Sequence, residues 1–399
     1  MTAKKIFGKI HLWLGLACGL VVFVVSLTGA LYVFQPELDK VFNKEAYCVA
    51  QQNKPHAPLS VLLDSAGKAF TPYKTGKSRY ISFTNEPGAV VTIGTSYKQD
   101  KEEKYIEARL NPYTGQVLAV GSLWEDSFWG AVLDLHMNLM LGEAGNTVVK
   151  WATLFFLLLL ISGIVLWWPK NKAAAKQRFW FRWKPNLKWR RKNYDLHNIL
   201  GFYASWVVVF MAITGLVWSF EWFSSGLYFA LSGGAKQQKA TQIALDKSTT
   251  TASQIDVCFA KLKRDYPDDY TAAKSFYISY PEDTTGEPLQ IVTSYDPPGP
   301  LSESRHSFLF NQVTTNLIKK GNTWDGIEMA NAGDWFLNYN YEIHVGSIFG
   351  LPTRLLVFFG CLVVASLPIT GFYIWWGRGK KKKTMPVKKN PLRSQPQPV

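Results

Sequence analysis

The chain has 399 residues, is 47% hydrophobic and carries 44 lysines and arginines against 29 acidic residues, a formal net charge of +15. Its mean hydropathy of −0.04 excludes a disordered polar chain and equally a protein made only of membrane segments. The charge points away from nucleic acid, because 21 of the 44 basic residues lie in three short acid-free segments (1–10, 169–194 and 377–399) that flank apolar runs.

In chain order, residues 1–35 form transmembrane helix 1, with an apolar run over about 11–34. That run is too long for a typical cleaved signal core, and its pattern returns inside the chain. Residues 36–125 carry a helix-like stretch (Leu59–Ala69) and β-like runs at Arg79–Phe83, Ala89–Ile93 and Tyr105–Leu110, the composition of a small α+β domain. A histidine-bearing interfacial segment follows at 126–147, transmembrane helix 2 at 148–168 and a basic loop at 169–194. The same order then recurs: transmembrane helix 3 at 195–223, a second α+β stretch at 224–333, a second histidine segment at 334–352, transmembrane helix 4 at 353–376 and a basic tail at 377–399. In the second α+β stretch the helix-like run is Ile255–Asp265 and the β-like runs are Ser275–Ser279, Leu289–Thr293 and Ser307–Phe310. Each apolar run has roughly the 20 residues that a ~30 Å hydrocarbon core requires, and tryptophans gather at the run ends. The positive-inside rule puts both termini and the 169–194 loop in the cytoplasm and both α+β stretches outside it. Cys48 and Cys258 fall in those outer stretches, where a disulfide is permitted, but their spacing does not decide whether they meet.

The repeat is sharpest at histidine. His11-Leu-Trp-Leu-Gly15 through Thr28-Gly29 matches His197-Asn-Ile-Leu-Gly201 through Thr214-Gly215 at an offset of 186. His136, Gly142, Gly163 and Trp167-Trp168 match His344, Gly350, Gly371 and Trp375-Trp376 at an offset of 208. With this topology His11 and His197 share the cytoplasmic level and His136 and His344 the outer level, as pairs of imidazoles that hold haem iron between helices do. Gly15 and Gly201 follow their histidines by four residues on the same helix face and leave room for a flat porphyrin edge. Eighteen residues make five turns, so Gly29 and Gly215 return to that face beside the other level. A single helix from His136 to Gly163 would be roughly 40 Å long, so a break near Gly142 and Gly145-Asn146 must place His136 on a short separate helix.

Asn111-Pro-Tyr-Thr-Gly115-Gln-Val-Leu118 reads as a strand–turn–strand with proline and glycine at turn positions. It resembles the Asp/Asn-Pro-x-Thr-Gly-x-Val signature of PepSY domains. Together with the His-x-x-x-Gly starts, Leu135-His136, Ile343-His344 and the Ser/Thr-Gly…Trp-Trp ends, the chain resembles the PepSY-associated transmembrane family from His11 to Trp376. Asn311-Gln-Val-Thr-Thr departs from the pattern, lacking both the proline and the glycine. The fold expected is an α-helical membrane protein: a four-helix transmembrane bundle built as an internal repeat, with two extracytoplasmic α+β PepSY-like domains.

The resemblance implies a di-haem reductase of the bacterial inner membrane that passes electrons to a periplasmic ferric siderophore and releases Fe(II). On this reading the cofactors are two b-type haems with His11, His197, His136 and His344 as iron ligands and Gly15, Gly201, Gly29 and Gly215 beside the macrocycles. No Walker loop, GxGxxG or other nucleotide or flavin motif occurs, so the electrons come from a separate donor, a quinol or a flavoprotein. Two alternatives stand beside it: a generic di-haem electron conduit with another acceptor, and a haem-free PepSY membrane protein that binds or regulates a partner.

Overall fold

The computed structural model describes residues 3–43, 47–73, 80–99, 102–122, 127–169, 171–237, 252–279, 288–324, 326 and 328–379. The basic tail beyond 379 lies outside the described residues.

Helix α1 (Ala3–Tyr32) begins eight residues before His11, so this histidine lies two turns inside the helix and not at its end. Pro36 sits in the first turn of the short α2 (Gln35–Phe42), where its missing N–H breaks no helical bond. After α3 (Leu59–Phe70) come β1 (Tyr80–Thr84), β2 (Val91–Gln99), β3 (Glu102–Leu110) and β4 (Val117–Gly121). Helix α4 (Phe128–Asn138) carries His136; the Ser127 hydroxyl caps it by accepting the Gly130 N–H at 2.8 Å. Left-handed Leu139 and Met140 (φ 52° and 57°) end α4, and α5 (Gly142–Trp167) follows. The break therefore precedes Gly142. Gly145 lies inside α5, where a Cβ would collide with the Asn138 carbonyl, so glycine is needed there for close approach of the two helices.

The basic α6 (Lys172–Arg178) leads to α7 (Trp189–Ser219), which starts eight residues before His197 and turns at Phe220 into α8 (Glu221–Leu231). Next come α9 (Ala252–Asp265), α10 (Pro267–Ala272), β5 (Ser275–Ser279), β6 (Leu289–Tyr295), β7 (Ser304–Phe310) and β8 (Leu317–Gly321). Helix α11 (Ala332–Asn338) opens on an Asn331–Asp334 capping box, and α12 (Asn340–Val345) carries His344. Left-handed Gly346 and Gly350 then turn the chain into α13 (Leu351–Gly379).

The eight strands form one antiparallel sheet in the order β4-β3-β2-β1-β5-β6-β7-β8. This corrects the expectation of two separate α+β domains. Without the seam, β1 and β5 would each be an exposed, apolar edge; paired, they place Ile81 opposite Ile278 and Phe83 opposite Phe276 and leave no open edge at the centre. Leu62, Phe70 and Ile93 from one stretch and Cys258, Leu262 and Ile291 from the other share a single buried core beneath α3 and α9. Asp256 of α9 accepts the Leu59 N–H at 2.8 Å and so caps α3 across that core. Cys258 is buried and Cys48 exposed, and both are free thiols.

The second turn keeps the geometry of the first without its proline and glycine. Asn111 N–H donates to the Gln116 carbonyl at 2.8 Å, and Asn311 N–H to the Asn316 carbonyl at 2.9 Å. Gly115 adopts φ 72°; Thr315 takes its place at φ 57°, a costly value for a β-branched residue. Lys261 offsets that cost by donating to the Thr315 carbonyl at 2.8 Å and its hydroxyl at 2.9 Å.

Helices α1, α5, α7 and α13 are each long and apolar enough to cross a membrane. Each packs against two others, in the cyclic order α1-α5-α7-α13, around a core that includes Cys18, Val22, Leu160, Val208 and Val364. Their outer faces expose large apolar side chains such as Leu20, Trp206 and Phe359, which suit contact with lipid tails. On the other face of the sheet, fully buried Arg305 of β7 pairs with Glu342 and donates to the Asn338 carbonyl at 3.1 Å, which ties the sheet to the helices that carry His344.

Candidate functional site: two imidazole pairs

The bundle brings the four matched histidines together in the expected pairs. His11 faces His197 with ring centres 6.4 Å apart and planes at 90°; His136 faces His344 at 6.3 Å and 80°. A metal–imidazole bond of about 2.0–2.1 Å, with roughly 1.1 Å from nitrogen to ring centre, puts two trans imidazoles on one metal about 6.3 Å apart. Among the described residues no group of three or more His, Cys, Asp or Glu is placed to hold a bare ion. A metal held by two imidazoles would have to bring its own equatorial donors, as iron in a porphyrin does.

Hydrogen bonding sets which nitrogen of each ring is free. His11 Nδ1 lies 2.9 Å from Ser162 Oγ, His197 Nδ1 2.9 Å from Thr370 Oγ1, His136 Nδ1 3.1 Å from Thr28 Oγ1 and His344 Nδ1 2.8 Å from Thr214 Oγ1. Every one of these hydroxyls already donates to a carbonyl of its own helix: Ser162 to Leu159 at 3.1 Å, Thr370 to Ser366 at 3.1 Å, Thr28 to Val24 at 2.8 Å and Thr214 to Phe210 at 2.7 Å. A hydroxyl has one proton, so each can only accept from the ring, and Nδ1 must be the donor. The Nε2 lone pair is then the one left for a metal, and the hydroxyl raises its basicity, as outer partners of metal-bound imidazoles do. At the outer level burial holds His136 below its ordinary pKa, and burial together with the proximity of His136 pushes His344 down to about 3. Both rings stay neutral, the form that ligates.

The glycines divide into two roles. A Cβ on Gly29 would lie 3.0 Å from His136 Cε1, on Gly163 3.3 Å from His11 Cε1, on Gly371 3.2 Å from His197 Cε1 and on Gly215 3.6 Å from His344 Cε1. These four are beds for the imidazoles, each one residue after the hydroxyl that fixes the ring. Gly29 and Gly215 thus sit beside the other level, as their spacing requires, against the imidazoles of His136 and His344. Gly15 and Gly201 line a cavity of about 440 Å³ between His11 and His197, and a Cβ there would make only ordinary contacts, 3.8 Å to Leu159 and 3.6 Å to Leu367.

Ser162, Thr370, Gly163 and Gly371 gain roles that sequence reasoning did not assign. The signal was present: a hydroxyl residue followed by glycine occurs once in each of the four apolar runs, Thr28-Gly29 and Thr214-Gly215 at the 186 offset, Ser162-Gly163 and Thr370-Gly371 at 208. Replacing Thr28 by valine removes the acceptor while keeping the volume. For a haem held by the outer pair, the expected result is an affinity reduced by ~10–100-fold, with Thr28→Ser near wild type, measured by haem transfer to an apoprotein scavenger.

These features define a helical membrane protein with four spans, an attached antiparallel sheet and two imidazole pairs stacked along the bundle. The chain belongs to the family described as the PepSY-associated TM region, whose model matches residues 9–378 and so takes in all four histidines. No curated protein matches the chain.

Proposed function

We propose that this protein is a di-haem electron carrier of the bacterial inner membrane, built from two copies of one unit, that reduces a ferric siderophore on the periplasmic side. The observation that carries the reading is the twofold placement of facing imidazoles at 6.4 and 6.3 Å, each with a hydroxyl on Nδ1. His11 and His197 would hold one b-type haem and His136 and His344 the other. Bound haem supplies one-electron transfer at iron. The protein's own part is to fix four Nε2 lone pairs, exclude water from the bundle and set the two levels in series.

Direction follows from charge. Positive-inside bias puts the His11/His197 level and the 169–194 loop in the cytoplasm and the sheet with the His136/His344 level in the periplasm. A quinol or flavoprotein donor would deliver electrons to the inner level. The ferric acceptor comes from the family resemblance and suits the chemistry: reduction to Fe(II) weakens the hold of hard oxygen donors, so iron leaves the chelate.

The optical spectrum of the detergent-purified protein tests the reading. Two six-coordinate low-spin haems per chain are expected. A colourless protein from haem-replete cells would overturn it in favour of a haem-free PepSY binding or regulatory protein. Two haems without turnover of any ferric chelate would leave a conduit to another acceptor.

A further inference from the structure

The cavity beside His11 and His197 carries its fixed charge at one end. Among the described residues two cations line it, Lys4 and Arg178, and no carboxylate does. Both meet the C-terminus of α5: Lys4 Nζ donates to the Trp168 carbonyl at 3.2 Å and Arg178 Nη1 to the Leu166 carbonyl at 3.1 Å. Among the described residues Arg178 is bonded only through Nη1, to the Leu166, Trp167 and Trp168 carbonyls, which leaves Nε–H and the Nη2 hydrogens for another acceptor. Trp167 closes the same end, buried and stacked on Phe202 with ring centres 3.6 Å apart. Beyond the histidines the lining is apolar, with Leu16 and Leu160, and Leu16 lies about 18 Å along α1 from Lys4 at 1.5 Å per residue.

We infer that this end of the inner site, formed by Arg178 and Lys4, binds the carboxylates of a macrocycle that enters with its anionic edge toward the cytoplasm. The inference rests on the reading of His11 and His197 as haem ligands and adds the ligand's polarity and orientation. Guanidinium and ammonium donors match carboxylate oxygens, and the apolar side chains beyond the histidines accept the vinyl- and methyl-bearing edge.

The test uses full-length protein carrying His136→Ala and His344→Ala, purified without haem, so that only the inner site remains. It is titrated with iron protoporphyrin IX and with the dimethyl ester of the same compound, followed by the absorbance of the bound porphyrin. The diacid should bind about tenfold or more tightly than the diester, the worth of one charge-assisted hydrogen bond. Arg178→Gln and Lys4→Gln should narrow that gap, and Arg178→Lys should keep most of it. Equal binding of diacid and diester, or a gap unchanged by both glutamine variants, overturns the orientation while the haem site stands. Failure of both porphyrins to bind overturns the inner haem site and the orientation with it.

Discussion

On the proposed relay, replacing His136 or His344 by alanine should abolish reduction of an external ferric siderophore while the inner haem stays reducible by the physiological donor. In that relay the outer ring pair is the last station before the sheet side of the bundle, and each ring is held by one hydroxyl from a neighbouring helix, Thr28 for His136 and Thr214 for His344. With one imidazole gone, the partner alone gives a five-coordinate site, and haem content should fall from two per chain toward one. The converse variants, His11→Ala or His197→Ala, should leave an outer haem that dithionite reduces and the donor does not. Stopped-flow spectroscopy in liposomes of known orientation distinguishes the two. Wild-type reduction of an external ferric siderophore by the outer-level variant would refute the relay.

Gly29→Val should cost the outer haem nearly as completely as loss of its ligand. A Cβ at position 29 already lies 3.0 Å from His136 Cε1, and valine adds two methyl groups toward the same ring. Gly371→Val should do the same at the inner level, where the Cβ would lie 3.2 Å from His197 Cε1. Gly15→Ala is the control, since its Cβ meets only Leu159 at 3.8 Å. Valine, though poorer than alanine, is still a better helix former than glycine, so lost haem at 29 or 371 cannot be assigned to a weakened helix. Haem stoichiometry by pyridine haemochrome, with circular dichroism to confirm helix content, reads the difference. Full haem occupancy in both valine variants would show that these glycines do not seat the imidazoles.

Much of this site was legible in the chain because its markers are local. A histidine, a glycine four residues on and a hydroxyl–glycine pair five turns on all lie on one helix face, and a twofold recurrence makes that spacing visible. The start of α7 at Trp189, ahead of the expected 195, has a related reason. Hydropathy marks where a segment is apolar, whereas α7 begins as helix through polar residues, Arg190 to Asn193, as α1 does through Lys4 to Lys9. The β-like runs were found from alternation, but alternation cannot tell which strand a free edge will meet.

The sequence by itself determined the four spans, the charge bias, the strands and the identity of the four histidines, because hydropathy and period are properties of consecutive residues. Only the tertiary structure decided which hydroxyl meets which ring, through contacts between residues 108 to 173 positions apart. It also decided that two strand sets close into one sheet at Ile81 and Ile278, and that Lys4, Arg178 and Trp167 gather at one end of the inner cavity. Those outcomes depend on which helix faces and strand edges pack together to satisfy buried donors and cover apolar edges, and no local pattern specifies the partner.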